Sequence, residues 1–427
     1  MLAPEGIEVP TELVCRLRRS LYGMKQLAAV WFTTIRSVFR SMGFVQCRAD
    51  PCCFVRRSDL DSSSSGATIV LYLDDLLVGS AHEGEIELIR QSLAAHFTVK
   101  VLGDTHHALG MEIKYDRGKG ELLLKQKQFI AKMVARFDQQ DVNPVRNRVV
   151  FGQDLAPDSS HAMLESANRY RELISALLYV ANATSSDISV ALSILSQYLD
   201  TPTETYWRAA VRVLRYIMGT DSHGLRFAND TENIVTAYCD ANWGNDKVSR
   251  RSTSGVLIIM GGAPVVYKSK RQSTMAVSSV EAEYLSLALA TQDVAWLRFL
   301  LEEVGIILRG PSTICTDNQS AIQIATNHGY IPRAKHIDIR AHFVRDHVES
   351  GTIELKYVLS KSQLAEFLTK MLPTPRIAEL RNSSGIRGAL DYTSDEVPPK
   401  WSSAIKGGIT VLREVTLRST VIIAERA

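Results

Sequence analysis

Apolar positions along this chain recur with two different periods, and the period changes at readable points. Over residues 13–45, Leu21, Ala28, Trp31, Ile35 and Phe39 return at helical spacing. The serine run Ser62–Ser65 with Gly66 reads as a loop. Two apolar strands follow, Ala67–Leu73 and Leu76–Gly79, and they flank Asp74-Asp75, a pattern that predicts a β-hairpin with both acids at its tip. Helical spacing returns over 84–97 and 126–138, and Asn143-Pro144 and Ala156-Pro157 mark a boundary. From Tyr170 to Gly219 the pattern is mostly helical, broken at Thr201-Pro202. Residues 231–373 read as three strands, a helix, a strand, one or two helices, a strand and a last helix, Ser362 to Met371. This divides the chain into 1–149, a mostly helical 150–230, an α/β region 231–373 and a tail 374–427. The tail, with Pro398-Pro399 and Gly407-Gly408, is expected to be disordered or loosely attached.

Composition adds limits. With 427 residues, 45% hydrophobic and 22% charged, the chain can bury several cores. A net charge of +3 is weak evidence for any partner, but the distribution is uneven. Arg16, Arg18, Arg19, Lys25, Arg36, Arg40, Arg48, Arg56 and Arg57 share their stretch with a single acid, Asp50, and Lys268-Ser269-Lys270-Arg271 forms a second basic run. Such clusters suit a phosphate backbone, although solvated faces explain each equally well. Six cysteines without CxxC spacing read as reduced thiols and argue against zinc. No apolar run reaches the ~20 residues a membrane span needs. The expectation is a soluble intracellular protein of cytoplasm or nucleus, without membrane contact.

Four carboxylates carry the chemistry. Asp240 ends an alternating strand, Glu283 opens the helix Ser279 to Val304, Asp317 ends a short apolar strand, and Glu366 lies on the last helix. Any one alone reads as a surface group or a cap. Together, in this order on these elements, they could hold two Mg²⁺ ions, one orienting a water and one stabilising a leaving 3′ oxygen, with Mn²⁺ able to substitute. Glu281 points about 200° away from Glu283 on an ideal helix and is expected to be exposed.

The text around these acids resembles the ribonuclease H domain of copia-type retrotransposon polyproteins: 238–256 (YCDANWGNDKVSRRSTSGV), 278–285 (SSVEAEYL), 315–322 (CTDNQSAI), 335–345 (KHIDIRAHFVR) and Gln363–Lys370. The resemblance implies that Asp240, Glu283 and Asp317 are metal-binding acids, and that an RNA–DNA hybrid or template–primer is the partner. At the fourth position the family's Asp is Glu366 here, and the longer side chain is expected to weaken the chemistry. Trp243 and Arg250-Arg251 would meet the hybrid backbone, as would Lys25, Lys268, Lys270 and Arg271. His336 and Asp338 match the family signature without a derivable role.

The first part resembles copia-type reverse transcriptases, through Tyr72–Asp75, Ser20–Gln26, Gly43-Phe44, Ala49–Pro51 and Leu109–Ile113. Tyr170–Leu178, Asp187-Ile188 and Arg212–Thr220 resemble the connecting region. The implied architecture is α/β and α+β multidomain: partial palm and thumb, helical connection, and a ribonuclease H-like domain with a mixed five-stranded sheet and flanking helices. Asp74 and Asp75 would form an incomplete polymerase site, because the family's first catalytic-aspartate strand lies upstream of the Ser-Leu-Tyr-Gly segment. Departures at Leu27–Val30, Ser185-Ser186 and Val101 are those of a decayed copy. Three readings stand: a polyprotein fragment with nuclease activity, a non-catalytic nucleic-acid-binding remnant, or a reverse transcriptase completed by a supplied N-terminal segment.

Overall fold

The computed structural model describes residues 27–57, 66–80, 82–116, 118–149, 163–164, 166–228, 234–327, 338–388 and 418–425. Lys25, the Ser20–Gln26 segment, the serine run and His336 lie outside them. Two compact units emerge: Met1–Thr105 with Glu414–Ala427, and His106–Arg413.

The first unit begins with α1 (Leu27–Ser41), which turns Ile35, Val38 and Phe39 inward, as the period anticipates. The helix stops there; Gly43 takes a φ of 82° and β1 (Val45–Gln46) follows, so residues 42–45 are not helical. Next come β2 (Cys53–Arg56), β3 (Ala67–Tyr72), β4 (Asp75–Ser80), α2 (Glu83–Ala94) and β5 (Thr98–Asp104). On β3 and β4 alternate residues are buried, Ala67, Ile69 and Leu71 against Leu76 and Val78, which is period two made physical. They pack with Phe39, Phe54, Ile89 and Leu93 into one core. The sheet runs β1-β2-β3-β4, then a C-terminal strand (Arg418–Glu425), then β5. That strand is antiparallel to both neighbours, Ile423 lying opposite Asp75 of β4 and Lys100 of β5. Part of the tail expected to be disordered is therefore a strand inside a sheet, because β4 and β5 otherwise present unpaired backbone to each other.

The second unit holds two sheets and a helical layer. β6 (His107–Ala108), β7 (Met111–Asp116) and β8 (Glu121–Lys125) precede α3 (Lys127–Arg136), α4 (Ala167–Ala183), α5 (Ser189–Leu195) and α6 (Glu204–Gly219). Tyr170, Leu173, Leu177, Val180, Val213, Leu214 and Ile217 form the core of this layer. β9 (His223–Ala228) then joins β8, in a region expected to be mostly helical.

β10 (Thr236–Asn242), β11 (Thr253–Met260) and β12 (Ala263–Arg271) form an antiparallel meander. The long α7 (Ser279–Glu303) crosses to β13 (Ser312–Thr316), which is parallel to β10. After α8 (Gln319–Thr326) and α9 (Asp338–Glu349), β14 (Ile353–Tyr357) adds in parallel, giving the order β12-β11-β10-β13-β14. This is the mixed five-stranded sheet that the resemblance implies. Val235, Ala237, Cys239, Val256 and Ile258 pack on Tyr284, Leu287 and Val294 of α7.

The expected last helix is absent. Two 3-10 turns, Ser360–Ser362 and Leu364–Leu368, stand in its place. Phe367 and Leu368 of the second turn reach Tyr238 and Leu257 and bury with them in one cluster. α10 (Thr374–Ser383) and β15 (Ile386–Gly388) then return the chain to β9, so this part of the tail is also ordered. Among the described residues no helix is long and apolar enough to cross a membrane.

Candidate metal centre

Tyr238 of β10 and Cys315 of β13 are partners in the parallel pairing, so Asp240 and Asp317, each two residues on, emerge side by side. Glu283 reaches them from the first turns of α7. Ser278 caps that helix, its hydroxyl accepting from the Glu281 amide at 3.1 Å, and Glu281 accepts from the Val277 amide at 2.7 Å. Glu281, expected to be exposed, is buried by this reciprocal cap, which uses its carboxylate locally. The cap fixes the start of the helix, and so the height at which Glu283 meets the strands.

Carboxylate oxygens of Asp240, Glu283 and Asp317 all lie within 4.8 Å of one another. Asp240 is 1% exposed and Glu283 8%. Burial pushes Asp240 up to about 6, against the pull of Lys370 and of a hydrogen bond from the Thr369 hydroxyl. Burial, then the charges of Asp240 and Asp317, push Glu283 up to about 9, and Glu283 Oε2 has no hydrogen-bond partner. A buried, unpartnered oxygen facing two other acids is the donor set a hard divalent cation takes. These three residues fit such an ion.

Glu366 is near but not among them. Its Oε2 accepts from Arg376 Nη2 at 2.9 Å and Nε at 3.1 Å. Lys370 Nζ stands 3.8 Å from Glu366 Oε1 and 3.5 Å from Asp240 Oδ2. The expected four-acid cluster is thus a triad beside a separately paired fourth carboxylate.

Other residues that the sequence reading did not single out hold this edge. The Ser286 hydroxyl, one turn after Glu283, bonds the carbonyls of Asp240 (2.8 Å) and Gly255 (3.1 Å). Gln363 Nε2 donates to the Cys239 carbonyl at 2.9 Å. A Cβ on Gly255 would lie 2.6 Å from Thr369 Cγ2 and 3.0 Å from the Ala365 carbonyl, so only glycine lets the 3-10 segment approach Asp240. Arg148, fully buried, donates to the carbonyls of Asp187, Phe367 (3.4 Å) and Lys370 (3.1 Å), tying that segment to the helical layer. Of all these, Ser286 alone carried a sequence signal, its i+3 spacing from Glu283.

The basic residues separate. Lys268 is engaged with Asp293 at 2.6 Å and Arg271 with Asp246 at 2.9 Å. Arg250 is exposed, at a φ of 55°. Arg251 is partly buried, and Trp243, 53% exposed, donates to the Ala276 carbonyl at 3.0 Å. Lys270, Arg271 and Arg340, with Gln272 and Phe343, line a cavity of about 440 Å³ against α7.

In the first unit Tyr72 and Asp75 pair across β3 and β4, leaving Leu73-Asp74 as the turn. Leu73 has a φ of 55°, and the Trp31 indole holds its carbonyl at 2.8 Å. Asp74 lies in the turn and Asp75 opens β4, both at the tip. Among the described residues no third metal-capable side chain gathers with them.

Comparison with known proteins gives a consistent picture. Residues 1–150 match the family model for reverse transcriptase (RNA-dependent DNA polymerase). The chain is 33% identical to the retrovirus-related Pol polyprotein from transposon RE2 of Arabidopsis thaliana, over 92% of this chain and 26% of that protein. It is 30% identical to the retrovirus-related Pol polyprotein from transposon TNT 1-94 of Nicotiana tabacum, over 87% of this chain and 28% of that protein. The chain therefore spans about a quarter of these relatives. Among solved structures, LC11-RNase H1 isolated from compost aligns with 34% of this chain and 97% of its own, at 14% identity and a TM-score of 0.26.

Proposed function

This chain belongs to the Pol polyproteins of copia-type retrotransposons, and we propose that its second unit cleaves the RNA strand of RNA–DNA hybrids with the help of a divalent cation. The observation that carries this reading is the triad itself: three acids from two strand ends and a helix, two of them buried, with an oxygen of Glu283 unpartnered. Asp240, Glu283 and Asp317 would hold Mg²⁺ or Mn²⁺. Bound there, the cation supplies Lewis acidity at the scissile phosphate. In hydrolysis a water adds to phosphorus as the bond to the 3′ oxygen breaks. The chain's own part is to fix the three carboxylates, through the α7 cap and Ser286, and to exclude water behind them. The cavity at Lys270 and Arg340 would take phosphates of the hybrid, and selection of RNA needs a contact to the 2′-hydroxyl.

The hairpin acids Asp74 and Asp75 fit two carboxylates of a polymerase site whose further aspartate is not among the described residues. A non-catalytic binding role is the second reading, favoured by the Glu366–Arg376 pair, which withdraws the fourth acid. The full-length chain, assayed on a labelled hybrid with Mg²⁺ and Mn²⁺ beside an Asp240→Asn variant, decides between them. RNA-strand cleavage lost in that variant supports the nuclease. A folded chain that binds the hybrid and cuts with neither ion supports the binding role.

A further inference from the structure

Glu366 shares Lys370 with Asp240 of the triad yet lies outside the triad's circle of oxygens. Two nitrogens of Arg376 bind its Oε2, at 2.9 and 3.1 Å, and Arg376 is itself steadied by Glu379 at 3.0 Å. Its other oxygen faces Lys370, which also faces Asp240. Arg376 comes from α10, whose Pro at the second position and Ile377 and Leu380, buried against the sheet, fix where that helix starts. The guanidinium is therefore presented from a rigid element, and both carboxylate oxygens of Glu366 already have a cationic neighbour. Side-chain length matters here. An aspartate at 366 would be one C–C bond shorter, ~1.5 Å, and would fall short of Arg376.

From this geometry we infer that Arg376 is a positioning residue that holds Glu366 out of the metal centre, so that the site takes one divalent ion where four converging carboxylates would take two. The inference rests on the metal-binding reading of the triad. With Arg376 in place, a second cation near Glu366 would have to displace a guanidinium bound through two nitrogens and approach Lys370. With Arg376 removed, Glu366 keeps only the longer contact to Lys370 and can turn toward Asp240. Glutamate at 366 is then matched to Arg376, and the departure from the family's aspartate changes the ion count while leaving the charge the same.

Counting Mn²⁺ ions by electron paramagnetic resonance and calorimetry, with Asp74→Asn and Asp75→Asn as the background of the parent chain and every variant, tests this without any cleavage assay. The expected stoichiometry is one for the parent chain, one for Arg376→Lys and Glu366→Gln, and two for Arg376→Gln and Glu366→Asp. Two ions on the parent chain overturn the inference, as does loss of the single ion in Glu366→Gln, or a count of one in both Arg376→Gln and Glu366→Asp. Glu366→Asp leaves Arg376 and its Glu379 contact intact, so it answers even if Arg376→Gln does not fold. No Mn²⁺ bound to a folded parent chain instead overturns the metal reading of the triad itself, a result distinct from one ion that never becomes two.

Discussion

The two units each present neighbouring acids at the end of a β-strand, and the physics of the two sites is opposite. Asp74 and Asp75 are adjacent in sequence, at the tip of a hairpin, half-buried and exposed. Asp240, Glu283 and Asp317 are far apart in sequence and converge because a parallel pairing and a capped helix bring them together. Proximity in sequence leaves water able to solvate both acids of the hairpin. Convergence in space expels that water, raises the cost of charge, and makes a cation the natural partner. An acidic motif becomes a centre when the fold adds acids from separate segments.

The widest separation between the two sites is in catalysis. Asp240→Asn should reduce hybrid cleavage by on the order of 10²–10³, the scale of losing one preorganised electrostatic contact. Asp74→Asn with Asp75→Asn should leave the same assay within about twofold of the parent. A large loss in the hairpin variant would break the comparison.

Packing gives the next contrast. Gly255→Ala places a Cβ against Thr369 and the Ala365 carbonyl, and should cost about 1–3 kcal/mol while weakening Mn²⁺ binding. Gly79→Ala, on β4 with no atom of the described residues within 4 Å of its Cβ, should leave the melting temperature within about 2 °C. Thermal melts of both variants measure this.

Acid titration sharpens the difference further. Glu283 and Asp240 are raised in the fold, to about 9 and about 6, so between their unfolded values and these the folded chain holds more protons than the unfolded one. Stability without ions should then fall as pH rises from 5 to 9. Glu283→Gln should flatten that fall and raise the melting temperature at pH 9 by roughly 5 °C; Mn²⁺ should offset it in the parent chain. The smallest effect is on the rim: Lys270→Ala should weaken hybrid binding about two- to threefold and lower the salt slope by about one.

What was legible in the sequence follows the range of the interaction. Asp240 and Asp317 stand out because strand alternation and a following helix are local patterns, and Glu283 because it opens a helix. The element order of 231–373 is readable for the same reason. Ser362–Met371 has helical content and predicts a helix around Glu366, whereas the chain there forms 3-10 turns with Phe367 and Leu368 packed inward. The partner of Glu366, Arg376, lay beyond the boundary drawn at 373. Helix angle alone misplaces Glu281, since the cap turns its side chain back along the axis. Lys268 reads as a free cation until Asp293 is seen beside it. Arg148, with a buried guanidinium serving three distant carbonyls, has no local signature at all.

The C-terminal strand between β4 and β5 sets the order in which this chain can mature on the ribosome. Every described strand of the second unit lies within His107–Gly388, so that unit can close while synthesis continues. The first unit is made earlier and must wait, its β4 and β5 edges open, until residues 418–425 emerge. Folding order then runs against the order of translation, and the waiting sheet is the stretch most exposed to mispairing with a neighbouring nascent chain. A released chain truncated after Gly388 should show a protease-resistant second unit joined to a first unit that is still cut.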